Sequence, residues 1–138
     1  MFALKPIQHV SGPAAILALL VAAGAIALTA GAIAHHPGSH ASREPDGQVR
    51  LDVAAMANDA CTSVASVSRG APASVRAPAD GEPVTVQMQR PAGAMCATVV
   101  RAVEHTVQLP VPATARNLHL YILAPDGRVQ ATERVPIR

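Results

Sequence analysis

Aromatic side chains are nearly absent from this chain: it has no Trp, one Phe (Phe2) and one Tyr (Tyr121) in 138 residues. Sugar platforms and single-strand nucleic-acid grooves are built from stacking faces, and a domain with one aromatic side chain cannot supply them. Lysine is also missing after Lys5, and ten Arg against nine acids leave residues 35–138 close to neutral. No basic stripe or acidic block is present, which argues against a nucleic-acid partner. The chain further lacks C-x-x-C, H-E-x-x-H, G-x-S-x-G, S-x-x-K and any glycine-rich phosphate loop. Each of those patterns places a nucleophile, metal or phosphate by a defined mechanism. Seven serines remain, none with a base placed beside it by sequence. The expectation is a protein that is not an enzyme and holds no catalytic residues or bound organic cofactor.

What the chain does have is an uninterrupted apolar run. Residues 14–34 contain no charged side chain: ten are Ala, two Gly, one Thr and eight Leu, Ile or Val. As a helix, such a segment would reach about 32 Å, the thickness of a bilayer's hydrocarbon core. Two readings fit. The run is a retained transmembrane anchor, or it is the hydrophobic part of a signal peptide ending in the small residues Ala32 and Ala34. Lys5 lies before the run and all ten Arg after it, and a short signal-like amino-terminal tail favours an inward amino terminus. Both readings put the rest of the chain beyond the inner membrane, anchored there or released into the periplasm.

The expected organisation is a short cytoplasmic tail (1–13), the hydrophobic segment (14–34), a flexible His- and Pro-containing tether (35–48) and an exported β-rich domain (49–138). Two cysteines, Cys61 and Cys96, both fall in the last part. An even count in a small exported domain predicts one disulfide.

Alternation supplies most of the fold reading. Val49, Leu51 and Val53 alternate with Arg50 and Asp52 and predict a short strand. Residues 54–57, Ala-Ala-Met-Ala, favour a short helix, and a loop or strand follows to residue 67. Residues 70–83 carry Pro72, Pro78, Gly81 and Pro83 and predict a long loop. Val84, Val86 and Met88 then alternate with Thr85, Gln87 and Gln89, one buried face against one wet face. Residues 95–103 read as a strand buried on both faces, and residues 106–111 as another, bent at Pro110 and Pro112. The clearest unit is a hairpin: residues 117–123 and 128–135 flank Ala124-Pro-Asp-Gly127, where Pro125 presets φ and Gly127 accepts a positive one. The fold class expected is mainly β: a small antiparallel sandwich or partly open barrel of five to six strands, preceded by one N-terminal hydrophobic helix.

Histidine gives the one chemical constellation. His35, His36 and His40 lie within six residues and could capture copper or zinc. Cleavage after Ala34 would add the α-amine of His35 as a further donor. The plainer reading is a polar tether in which histidine is tolerated. A second set, His105 with His119 and Met88 with Met95, would need its strands to pair. Glu104 and His105 cannot form an acid–base dyad, because neighbouring strand residues point to opposite faces. The function expected is therefore a non-enzymatic binding or accessory module of the cell envelope. Its partner would be an envelope or membrane protein, met at a sheet edge or at loop 70–83. Periplasmic copper or zinc handling through His35, His36 and His40 is the alternative.

Overall fold

The structure is a computed structural model and describes residues 38–138. The segments 1–13 and 14–34, together with His35 and His36, lie outside the described residues. No helix of the described residues is long and apolar enough to cross a membrane.

Seven strands follow one another: β1 (His40–Arg43), β2 (Val49–Asp59), β3 (Ser63–Arg69), β4 (Glu82–Gln89), β5 (Thr98–Leu109), β6 (Asn117–Leu123) and β7 (Val129–Pro136). They form two sheets, β1-β2-β5 and β3-β4-β6-β7. The fold is mainly β as expected, but with seven strands rather than five to six, and the sheets do not close into a barrel. Nor is every pair antiparallel. β4 and β6 run parallel, with Val84 beside Leu120 and Val86 beside Ile122. A parallel pair needs a long crossover between its strands. Here the crossover is β5, which lies in the other sheet.

Period-2 burial explains the elements. β2 turns Val49, Leu51, Val53, Ala55 and Ala57 inward, and β4 does the same with Val84, Val86 and Met88. With Leu118, Leu120, Ile122 and Val135 these side chains make one core shared by both sheets. Among the described residues only Tyr121 adds an aromatic ring to the interior. The core is built of aliphatic side chains, as the composition requires.

Three local expectations are corrected and one holds. The short helix expected at 54–57 is instead the middle of β2. Alanine's helix preference, though the highest of any residue, is a small energy that tertiary pairing overrides, and Ala55 and Ala57 fit the inward face of a strand that pairs on its β5 side. The expected tether is structured from residue 38 onward, since His40–Arg43 pairs with β2 at Val49–Asp52. The two strands expected at 95–103 and 106–111 are one strand, β5, whose Val99 and Val100 are exposed rather than buried on both faces. The β6–β7 hairpin forms where expected, with Gly127 at φ +82°.

The disulfide Cys61–Cys96 is present, with its Cα atoms 5.7 Å apart. Cys61 lies in the β2–β3 turn, and Cys96 in the loop before β5 rather than on a central strand. The two flanks of the molecule differ. On one, β1 and β7 are joined by backbone: the Arg43 N–H donates to the Arg138 carbonyl at 2.8 Å, and the Arg138 N–H to the Ala41 carbonyl at 3.0 Å. On the other, β3 and β5 have no outer neighbour among the described residues.

Candidate functional site

The histidines do not converge among the described residues. His40 stands exposed on β1, directly across from Asp52. His105 is on β5 and His119 on β6, in different sheets, so the pairing that would bring them together does not exist. Met88 is core, whereas Met95 is fully exposed, so the two sulfurs share no site. The one cluster of three potential metal donors among the described residues is Asp59, Cys61 and Cys96. Its sulfurs are bonded to each other and have no thiolate to offer.

His40 does have an acidic neighbour. Asp52 Oδ1 accepts a hydrogen bond from Thr106 Oγ1 at 2.6 Å, and Arg50 Nε approaches at 3.4 Å. The Thr106 bond holds the Asp52 carboxyl below its ordinary value. Partial desolvation opposes this, and the charges of Arg50 and His40 reinforce it. His40, Asp52 and Thr106 thus form one row across β1, β2 and β5. All three line a depression of ≈ 290 Å³ that Gly38, Ala54 and Glu104 also line.

Three polar constructions escaped the sequence reading. Asp59 caps the β2–β3 turn: its Oδ1 accepts the Cys61 and Thr62 amides at 2.8 and 2.7 Å, and its Oδ2 the Thr62 hydroxyl at 2.9 Å. Desolvation works against its charge, yet these bonds and nearby Arg90 hold its carboxyl below the ordinary range. The signal was legible as Asp followed by a small turn. Arg101 reaches back from β5 to the carbonyls of Asp59, Ala60 and Thr62, closing the same turn. Ser39 links the sheets: its hydroxyl donates to Glu133 Oε2 at 2.8 Å while accepting the Ala54 N–H at 3.1 Å. No local pattern announces these last two, because their partners lie far away in sequence.

Loop 70–81 is held at its end rather than loose throughout. Asp80 Oδ2 meets Arg134 at 3.1 Å, and Asp80 Oδ1 stands 3.2 Å from His119 Nε2. That nitrogen is buried and lacks the alignment a hydrogen bond needs, so proximity alone joins it to Asp80. Gly81 packs onto the His119 ring so closely that a Cβ there would clash with its Cδ2. The loop is therefore pinned to β6 and β7 at Asp80 and Gly81.

What remains is the β5 edge. It is twelve residues long, contains no Pro or Lys, and among the described residues pairs only with β2. Val99 and Val100 are 42% and 68% exposed on it, with Met95 fully exposed in the preceding loop. Natural edges of this length are commonly guarded by Lys, Pro or a covering element. Here a bulge at the start of β5, between the pairs Ala57–Arg101 and Asp59–Thr98, is the main such feature. Compared with family models, with curated proteins and with solved structures, the chain finds no match in any of the three.

Proposed function

We propose that the chain is a non-enzymatic binding or accessory module of the cell envelope. In this reading residues 14–34 anchor it or direct its export, the folded part lies beyond the inner membrane, and its partner is an envelope or membrane protein. One observation carries the reading: the long β5 edge, unpaired among the described residues and bearing exposed Val99 and Val100 beside the disulfide. An edge strand offers a row of backbone donors and acceptors to an incoming strand, and its side chains set selectivity. The Cys61–Cys96 bridge agrees with an oxidising compartment.

The test uses the full chain in its own cells, with a photo-crosslinking side chain at Val100 or at Glu104. Capture of a discrete envelope protein at both positions, and not from Arg128 at the β6–β7 turn, is the expected result. Equal capture from all three positions would overturn the choice of edge. Intact-mass measurement of the isolated protein, non-reduced and reduced, reports cleavage before His35 and the bridge together. A cytosolic chain with freely alkylated thiols would end the reading.

Metal handling has one observation in its favour: His40 faces the ionised Asp52, so an imidazole and a carboxylate lie on neighbouring strands. In that reading His35 and His36 complete the donor set for copper or zinc. Calorimetric titration of the chain with each metal, beside a His35→Ala/His36→Ala/His40→Ala variant, decides it. Equal heats from the two proteins would retire the metal site.

A further inference from the structure

We infer that loop 91–97 rests on the lipid surface of the membrane that anchors the chain. The inference rests on the anchored form of the binding-module reading above and adds a contact to it. It starts from how little chain separates the apolar run from the fold. Ala34 ends the run and Gly38 is the first described residue, so only His35, His36 and Pro37 lie between them. Four fully extended residue steps reach about 14 Å. Gly38 does not stand at an end of the fold. Ser39 Oγ accepts the Ala54 N–H at 3.1 Å, His40 faces Asp52, and Gly38 lines the same depression as Ala54. Gly38 is thus level with Ala54 along β2. Beyond Ala54, β2 continues for five residues to Asp59, about 17 Å at a strand's rise. Because β1 is antiparallel to β2, the chain traced back from His40 through Gly38 heads towards that Asp59 end. The tether is shorter than the stretch of β2 ahead of it. It therefore brings the Asp59 end down to the lipid instead of holding it clear.

The Asp59 end carries the apolar loop. Asp59 pairs with Thr98, the Ala60 N–H donates to the Ala97 carbonyl at 3.0 Å, and Cys61 is bonded to Cys96. Residues 91–97 are Pro-Ala-Gly-Ala-Met-Cys-Ala, without one charged side chain. Among the described residues Met95 is fully exposed on this loop, and Val100, just inside β5, is also exposed. A flexible thioether side chain fills irregular apolar surroundings, which is what acyl chains offer near the headgroups. Arg90 stands at the base of the loop, 3.6 Å from Asp59 and about half-exposed. From there its stem can lie along the loop while its guanidinium meets a lipid phosphate. The opposite end of β2 has the reverse character. Its turn is Glu44-Pro-Asp-Gly47, and the two carboxylates would be repelled by anionic headgroups. An apolar tip with a cation at its base is the chemistry of a lipid interface. The disulfide fixes Cys96 to the β2–β3 turn, so the loop meets the membrane as a held wedge and not as a free strand of chain.

Methionine supplies the probes. Met95 is on the loop, Met56 is half-buried on β2, and Met88 is buried in the core. The full chain, isotope-labelled at its methionine methyl groups, is placed in nanodiscs of phosphatidylcholine and phosphatidylglycerol. Nuclear relaxation of the methyls is then compared with and without a gadolinium chelate attached to the lipid headgroups. The expected result is a Met95 methyl relaxed severalfold faster than those of Met56 and Met88. Ala92→Asp places a charge at an exposed loop position and should remove most of that difference, with far-ultraviolet circular dichroism confirming that the variant folds. Equal relaxation at the three methyls, or no change in Ala92→Asp, overturns the lipid contact and leaves the anchored reading standing. A Met95 methyl that is shielded from a water-soluble chelate yet untouched by the headgroup one is covered by protein, and that also overturns it. A chain that does not stay with the nanodiscs sinks the anchored reading and this inference together.

Discussion

Replacing both cysteines, Cys61→Ala with Cys96→Ala, tests how far the bridge holds this fold together. The bridge closes a loop of 35 residues in sequence separation. In the chain-entropy relation that loop removes about 13 cal/mol/K from the unfolded ensemble, or roughly 4 kcal/mol at 25 °C. Both cysteines are only half-buried, so little packing is lost with the sulfurs and the entropic part dominates. Domains of this size are stable by about 5–15 kcal/mol, so the bridge carries a large share. Urea unfolding followed by far-ultraviolet circular dichroism and by Tyr121 fluorescence reads the change. With a slope of about 1.5 kcal/mol per molar urea, the midpoint should fall by roughly 2.5 M. The slope itself should rise, because the uncrosslinked chain unfolds to a more open ensemble. A midpoint loss under about 0.5 M, with the slope unchanged, would refute the reasoning. It would mean that Asp59 and Arg101 already hold the β2–β3 turn against β5, and that the loop is closed in the unfolded chain too.

Leu120 is fully buried at the centre of the four-stranded sheet. Leu120→Ala should cost about 3 kcal/mol and lower Tm by roughly 10–20 °C in a thermal scan. Gly81→Ala should cost about 1–3 kcal/mol through the clash with His119, and removing that ring in a His119→Ala background should recover part of the loss, as a double-mutant cycle would show. Because the Asp59 carboxyl is held low in the folded chain, its stabilisation is present above the unfolded value of about 4 and lost as pH falls through the folded one. The stability gap between wild type and Asp59→Asn should therefore narrow between pH 7 and pH 2 in urea titrations; a gap that stays constant would remove ionisation from the account.

The parts of the fold legible in the sequence were those whose cause is local. β4 announced itself because Val84, Val86 and Met88 alternate with polar residues, and the β6–β7 hairpin because Pro125 and Gly127 dictate the turn. β2 was read short because alanine carries little information about which face it occupies. Ala55 and Ala57 become inward-facing only through pairing with Val103 and Arg101, nearly fifty residues away. β5 was split in two because its charged middle, Glu104 and His105, looks like a break. On an edge strand those side chains simply reach solvent. The parallel β4–β6 pair was invisible for the same reason: it exists because β5 crosses to the other sheet. Of the candidate sites, the disulfide was legible from cysteine count alone. The β5 edge was not, since an edge is defined by what fails to pair with it.

The two flanks of the molecule solve the same problem by different means, and the difference bears on function. Where β1 meets the residues after β7, backbone bonds at Ala41, Arg43 and Arg138 and the Ser39 bonds to Glu133 tie the two sheets together. Where β3 and β5 run past each other, no strand of the described residues bridges the layers. There the covalent bond Cys61–Cys96 and the three carbonyls gripped by Arg101 tie the β2–β3 turn to the start of β5. A clamp at one end holds the flank without consuming its edge. Had β5 been sealed by a neighbouring strand, the bridge would add stability to an already closed surface. With the edge open, it fixes the position of a strand that, among the described residues, pairs on one side only. Such a strand is ordered before any partner arrives, and the ordering cost of pairing falls mainly on the incoming segment.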